Sequence, residues 1–264
     1  MNFGLIIVGD EILSGKRQDK HLAKTIELLA ARGLALAWAR YVGDEPARLI
    51  TTLRDAMAGG DAVFSCGGIG ATPDDHTRQC AAAAAGVALL PHAEAQALIL
   101  ARVRRMAAEQ GRTADPAHPD NLHRLNMGLL PAGAHLIPNP YNQIPGFSVG
   151  EVHFLPGFPV MAHPMIEWVL DTRYAHLHGQ SAQQELSVIA SGAMEAALTP
   201  LMQEIEARFE GVRVFSLPSV DHPQWGRHIE LGVKGRGDAV QAAYQALRAG
   251  LSARGVQISA EVVR

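Results

Sequence analysis

Three short apolar runs, each closed by glycine or an acid and each followed by a helical pattern, set what the first part of this chain can fold into. Phe3 to Val8 is apolar almost throughout and stops at Gly9, Asp10 and Glu11. That is the pattern of a strand buried on both faces. Leu34 to Val42 ends the same way at Asp44 and Glu45, and Asp61 to Ser65 runs into Gly67, Gly68 and Gly70. Between them, Leu22, Ile26, Leu29 and Ala30 recur at helical spacing before Gly33. Leu49, Ile50, Leu53, Ala56 and Met57 do so between Pro46 and Gly59. Strands alternating with helices demand right-handed crossovers, and hence a mostly parallel sheet.

Further along, Asp74 and Asp75 lead into a helix through Ala81 to Ala85, with one of the two acids expected as its N-cap. A longer helix is expected over Ala93 to Gln110, then a loop from Thr113 to Asn121 ahead of a short helix. Strands at Ala134–Ile137 and Val152–Leu155 and a helix over Val160–Leu170 complete a first domain, residues 1–173. Residues 174–184 are rich in His, Gln and Ser and read as a linker. From 185 to 264 the pattern predicts a strand (Leu186–Ala190), a helix (Leu198–Phe209) and a strand (Val212–Leu217). A turn-rich stretch (Pro218–Gly226), a strand (His228–Val233), a helix (Ala239–Arg254) and a strand (Val256–Val262) follow. This is the βαββαβ order of a small ferredoxin-like domain. The expected fold is therefore α/β: a three-layer αβα unit with a mostly parallel sheet, followed by a small α+β domain. A length of 264 residues suits two unequal domains.

Composition removes several function classes. With 23 basic and 26 acidic residues, the net charge of −3 does not support a basic groove for nucleic acid. Two cysteines, Cys66 and Cys80, make no disulfide framework and fit a reducing cytoplasm. The apolar run Phe3 to Val8 is short, has no basic region before it and meets Gly9, Asp10 and Glu11 at once, so a signal peptide is not expected. No run nears the ~20 apolar residues of a membrane span. No H-E-x-x-H motif occurs among the 12 histidines, which are expected at the surface. Cys66 is expected to pack as a small apolar residue. Ser14 and Ser65 lack a nucleophile elbow. Trp225 is suited either to stack on a flat ring or to pack the small domain against a neighbour.

What chemistry remains lies at the carboxyl ends of the three strands, where open α/β sheets bind ligands. Asp10 and Glu11, Asp44 and Glu45, and the loop from Gly67 to Asp75 meet at one sheet edge in a parallel topology. Gly67, Gly68 and Gly70 allow backbone N–H groups to approach an anion, and the following helix adds its positive end. Asp74 or Asp75, with Asp44, Asp10 and Glu11, offers the carboxylate oxygens that Mg²⁺, Mn²⁺ or Co²⁺ takes when bridging a diphosphate. Each feature taken singly is more often a turn glycine, a helix cap or a solvated acid; their convergence favours the functional reading. No complete Walker lysine motif and no G-x-G-x-x-G is present, so ordinary P-loop and Rossmann assignments fail.

Gly9-Asp-Glu-Ile-Leu-Ser-Gly15, Val42-Gly-Asp-Glu45 and Gly67-Gly-Ile-Gly-Ala-Thr-Pro-Asp-Asp-His-Thr77 resemble the motifs of the molybdenum-cofactor biosynthesis (molybdopterin-binding) domain family. The nearest likeness within it is to the N-terminal module of competence/damage-inducible protein A and the corresponding domain of eukaryotic FAD synthase. Asn139-Pro140, Pro145-Gly-Phe147 and Leu155-Pro-Gly-Phe-Pro159 extend the resemblance to about Asp171. Gln224-Trp-Gly226 resembles the domain that follows this module in both relatives.

The resemblance implies a role in metal and phosphate chemistry for Asp44 and Asp75, a ligand cradle at Gly67, Gly68 and Gly70, and a cap or phosphate contact at Thr77. Thr72, Ser14 and Gly15 complete the expected phosphate-binding set. It further implies a metal-dependent nucleotide diphosphate hydrolase acting on FAD- or ADP-ribose-like substrates, with a small-molecule nucleotide or pterin ligand and a homo-oligomeric state. Adenylyl transfer to molybdopterin and a non-catalytic binding module are the alternatives. Ala71 stands where these modules usually carry proline, and Met161 where competence/damage-inducible proteins carry a glutamate. No nicotinamide-nucleotide deamidase or FAD-synthesising domain follows in the sequence, so those activities are expected to be absent.

Overall fold

In the computed structural model, which describes residues 1–179 and 184–263, the first apolar run forms β1 (Phe3–Val8) and is buried along its whole length. Phe3, Leu5 and Ile7 enter one core, and Ile6 and Val8 enter the other. A strand that feeds two cores must lie between two layers of helices. The elements that follow are α1 (Asp10–Leu13), α2 (His21–Ala30), β2 (Leu36–Val42), α3 (Pro46–Ala58), β3 (Ala62–Cys66) and α4 (Thr77–Ala85). After them come β4 (Leu89–Pro91), α5 (Ala93–Glu109), α6 (Pro119–Leu125), β5 (Leu129–Pro131), β6 (His135–Ile137), β7 (Gly146–Val149), β8 (Val152–Leu155) and α7 (Pro159–Arg173). The main sheet has the order β2-β1-β3-β8-β7-β6. Its strands β2, β1, β3 and β8 are parallel, and β7 alone runs against its neighbours.

One face of the sheet is covered by Leu28 and Leu29 of α2 with Met165, Ile166 and Val169 of α7. The other is covered by Leu49 and Leu53 of α3, Ala81 of α4 and Ala95 of α5. Each fully buried Leu, Ile or Phe contributes about 1.5–3 kcal/mol relative to exposure. This is the expected three-layer αβα arrangement. No helix among the described residues is long and apolar enough to cross a membrane.

By contact, the chain divides into Met1–His178 and Gly179–Arg264. The second unit contains β9 (Gln184–Ser191), α8 (Glu195–Arg208), β10 (Arg213–His222), β11 (Gly226–Gly235), α9 (Asp238–Ala253) and β12 (Gln257–Val263). Its antiparallel sheet has the order β10-β11-β9-β12, which is the ferredoxin-like arrangement. Leu198, Leu201 and Ile205 of α8 and Tyr244, Leu247 and Leu251 of α9 pack with Val188 and Leu231 in a core of its own.

Several local expectations differ. Strands β4, β5 and β7 were not foreseen, because runs of three or four residues carry no readable period. β10 continues through Pro218 into the stretch expected to be turn. Proline is tolerated there because β10 lies at the sheet edge. Tyr174, expected to open the linker, is 2% exposed and belongs to the first unit's core. Residues 180–183 of that stretch lie outside the described residues. Against the expectation of surface histidines, His21, His153 and His228 are buried.

Candidate functional site at the carboxyl edge of the parallel sheet

Four parallel strands end on one side of the sheet, and the loops leaving them wall a cavity of about 610 Å³. A volume of that order suits a nucleotide-sized ligand. From β1 come Gly9 and Glu11, from β2 Asp44, from β3 the loop Gly67–Thr72 with Asp74 and Asp75, and from β8 Pro156, Gly157 and Phe158. Asn139, Asn142, Ile144 and Pro145, between β6 and β7, close another side, and Arg17 and Met161 also line it.

The glycine loop owes its shape to close approaches that a side chain would forbid. Gly67 has φ +115°, and a Cβ there would lie 2.3 Å from the Val8 carbonyl oxygen. Gly68 has φ +68°, and its Cβ would meet Thr77 Oγ1 at 2.2 Å. The loop's carbonyls are tied back to the start of α4. The Thr77 hydroxyl donates to the Gly67 carbonyl at 3.0 Å, and the Thr77 N–H donates to the Gly68 carbonyl at 3.0 Å. Arg78 Nη1 donates to the carbonyls of Ile69 and Gly70.

In a trans peptide the carbonyl and the next N–H point in opposite directions, and no cis bond occurs among the described residues. Drawing these carbonyls toward Thr77 and Arg78 therefore turns the N–H groups of Gly68, Ile69, Gly70 and Ala71 the other way. Among the described residues, none of these N–H groups has a hydrogen-bond partner. Successive unpaired N–H groups on a cavity wall form a nest for an anion.

The acids divide by task. Asp10 and Asp44 lock their two loops reciprocally. The Asp10 N–H donates to Asp44 Oδ2 at 2.9 Å, and the Asp44 N–H donates to Asp10 Oδ1 at 3.3 Å. Glu45 accepts from the Ala47 and Arg48 N–H groups at 3.0 and 2.9 Å and so caps α3. Asp75 Oδ2 accepts from the Thr72 N–H at 2.8 Å and the Thr72 hydroxyl at 2.5 Å. Burial pushes the Asp44 carboxyl above its ordinary range. The Asp10 N–H opposes this, and the charges of Asp10, Glu11 and Asp74 reinforce it.

Several expected roles change. Neither Asp74 nor Asp75 caps α4; His76 occupies that position without a side-chain bond, and Asp75 clamps Thr72 instead. Thr77, expected as a cap or phosphate contact, is fully buried, does not line the cavity, and holds the loop from behind. Ser14 and Gly15 lie past α1 and do not line the cavity. The Ser14 hydroxyl turns to the Glu11 carbonyl at 3.4 Å. Asp10 is likewise absent from the lining and serves as a loop lock. Among the described residues, no three His, Cys, Asp or Glu side chains form a ready metal cluster. Glu11, Asp44, Asp74 and Asp75 line the cavity as separate carboxylates. Cys66 is buried, as expected, and burial pushes its thiol well up. In the second unit Trp225 stacks on its own neighbour His222, with ring centroids 4.6 Å apart.

Sequence reasoning missed Arg17, Arg78 and the amides of the 139–145 loop. Arg17 is exposed, and its side chain has no hydrogen bond or ion pair among the described residues. Asn139 Nδ2 donates to the Ile144 carbonyl at 3.0 Å, and the Ile144 N–H donates to Asn142 Oδ1 at 2.9 Å, which fixes that wall.

A probable molybdopterin binding domain matches residues 4–176. The chain belongs to the molybdopterin-binding, CinA-like family. It is 31% identical over 220 residues to a CinA-like protein of Syntrophotalea carbinolica, covering 79% of this chain and 51% of that one. A protein of Pyrobaculum calidifontis is 30% identical, with 85% of each chain covered. The chain spans about half the length of the first CinA-like relatives it matches. Among solved structures, the protein CinA from Thermoplasma acidophilum matches with a TM-score of 0.55 and 27% identity. That match covers 65% of this chain and 98% of the other.

Proposed function

We propose that the first unit is a metal-dependent nucleotide diphosphate hydrolase acting on FAD- or ADP-ribose-like substrates. The observation that carries this reading is the row of unpaired N–H groups from Gly68 to Ala71 on the wall of a cavity that four carboxylates also line. The N–H row favours phosphate oxygens. Glu11, Asp44, Asp74 and Asp75 oppose the same anion, and among the lining residues Arg17 is the one opposing cation. A hard divalent ion resolves that conflict, because such ions take one or two carboxylates together with substrate phosphates.

Asp44 and Asp75 each keep one carboxylate oxygen outside the loop hydrogen bonds, and they are the residues assigned to hold it. Bound there, Mg²⁺, Mn²⁺ or Co²⁺ would supply charge neutralisation and a more acidic water. The chain's own contribution is orientation and charge stabilisation. The loop N–H groups receive the negative charge that builds on the phosphoryl oxygens, and Arg17 is placed to neutralise the rest. Phe158, 57% exposed on the cavity rim, offers a face to a flat ring.

The test is to incubate the purified chain with FAD and with ADP-ribose in the presence of Mg²⁺, Mn²⁺ or Co²⁺ and to follow AMP release. Release that Asp75→Asn and Asp44→Asn both abolish supports the proposal. No release with any metal, or release unchanged in Asp75→Asn, overturns it. ATP-dependent attachment of AMP to molybdopterin would replace it with adenylyl transfer, and tight ligand binding without turnover would replace it with a binding module.

A further inference from the structure

Arg78 is 4% exposed, yet no carboxylate lies within ion-pair distance of it among the described residues. Its Nη1 is spent on the Ile69 and Gly70 carbonyls, and its buried Nε has no partner. Asp75 acts on it only through space, and desolvation draws its guanidinium below the usual value. A buried charge held by two neutral carbonyls is costly to keep, and a neutral donor would make the same loop bonds more cheaply.

The position explains the retention. The peptides whose carbonyls Arg78 grips are those whose N–H groups, on Gly70 and Ala71, are turned away from it, and both residues line the cavity. The guanidinium thus sits directly behind that stretch of the N–H nest, in low-dielectric surroundings where its field is little screened. We infer that Arg78 is the charge-selecting residue of this site: a buried cation behind the glycine loop that makes the Gly70–Ala71 end the seat of the ligand's diphosphate and discriminates against uncharged groups there. Arg78 does not touch the ligand in this scheme. It acts through the loop, as a positioning residue whose charge also counts. This rests on the diphosphate reading given above.

The test measures binding of magnesium pyrophosphate by calorimetry to the full chain and to Arg78→Gln and Arg78→Lys, with the thermal midpoint of each recorded alongside. Glutamine keeps a neutral donor for the loop carbonyls and removes the charge; lysine keeps the charge and removes the fork. The expected result is a loss of about tenfold or more in Arg78→Gln and at most about threefold in Arg78→Lys. Equal losses in both variants, or none in either, overturn the inference, because loop geometry alone would then account for the residue. Arg78→Met provides a second neutral variant should Arg78→Gln fail to fold. Absence of pyrophosphate binding by the unmodified chain overturns this inference and the diphosphate reading together. Binding that depends on Arg78 without AMP release from any dinucleotide sinks only the hydrolase.

Discussion

Asp44 carries opposed demands. Its carboxyl is pushed above the ordinary range by burial and by neighbouring acids, so its ionised form is disfavoured in the folded chain. Linkage then runs in one direction: the contribution is fully present below the ordinary carboxyl value and is lost as pH rises from there through the raised value. Asp44→Asn is therefore expected to abolish metal-dependent turnover and yet to raise, or leave unchanged, the thermal midpoint at pH 7. The amide oxygen can still accept from the Asp10 N–H. A lower midpoint would show that the carboxylate contributes stability beyond that bond.

His153 shows the reverse sign. Burial lowers its pKa to about 3. Tyr174 gives its one hydroxyl proton to Glu151, so His153 Nε2–H must donate to the Tyr174 oxygen at 2.7 Å, and Nδ1 accepts from Ser148 at 2.8 Å. The histidine is thereby held neutral in one tautomer. Its contribution to stability is lost as pH falls below the unfolded value near 6.5, at about 1.4 kcal/mol per pH unit. Urea midpoints should show that slope in the unmodified chain and a shallower one in His153→Gln. Tyr174→Phe strands the buried His153 and removes one donor from the half-buried Glu151, and is expected to cost about 1–3 kcal/mol at pH 7.

At the level of elements, the decisive one is the strand-to-helix connection between β3 and α4. Its glycine spacing and its two acids were legible in the sequence, because loops that need left-handed backbone advertise it through glycine. The direction of its hydrogen bonds was not. Reading Asp74 or Asp75 as the N-cap of α4 puts the helix start one or two residues early and Thr77 outward. The structure gives the capping position to His76 and turns Thr77 and Arg78 back onto the loop carbonyls.

Gly68→Ala tests that connection. Alanine would have to adopt φ +68° with its Cβ at 2.2 Å from Thr77 Oγ1. A cost of about 1–2 kcal/mol and loss of pyrophosphate binding are expected, since the N–H row depends on the clamp. Unaltered binding in a folded Gly68→Ala chain would show that the nest tolerates a different loop path. The same element contrast applies at β2, where the sequence marked Asp44 and Glu45 alike. Pro46 at the first helical position commits Glu45 to capping α3 and leaves Asp44 to the cavity.

For the whole molecule, each unit encloses its own apolar core. The residues that wall the cavity all lie in Met1–His178. A chain of residues 1–178 is therefore expected to unfold in one cooperative transition and to bind magnesium pyrophosphate as the full chain does. Loss of binding in a cooperatively folded fragment would assign the second unit a part in the site.

Layer architecture followed from pattern alone. Burial on two faces, crossover handedness and helical period are properties that consecutive residues impose on one another. The same holds for the strand ends that carry Glu11, Asp44 and the glycine loop, because a parallel sheet brings its carboxyl ends together whatever the side chains are. Which side chains then meet is a long-range matter. Gly67 lies against Val8, Asp10 against Asp44, Gly157 against Gly67, and Arg17 and Asn139 share one cavity with Asp75. No spacing along the chain encodes those distances, and they depend on how loops far apart in sequence settle onto a common edge. A mostly parallel α/β sheet with a glycine-rich loop at its edge is thus written in consecutive residues. Tertiary structure alone decided that the loop's carbonyls face Thr77 and Arg78, and so that its N–H groups face the other way.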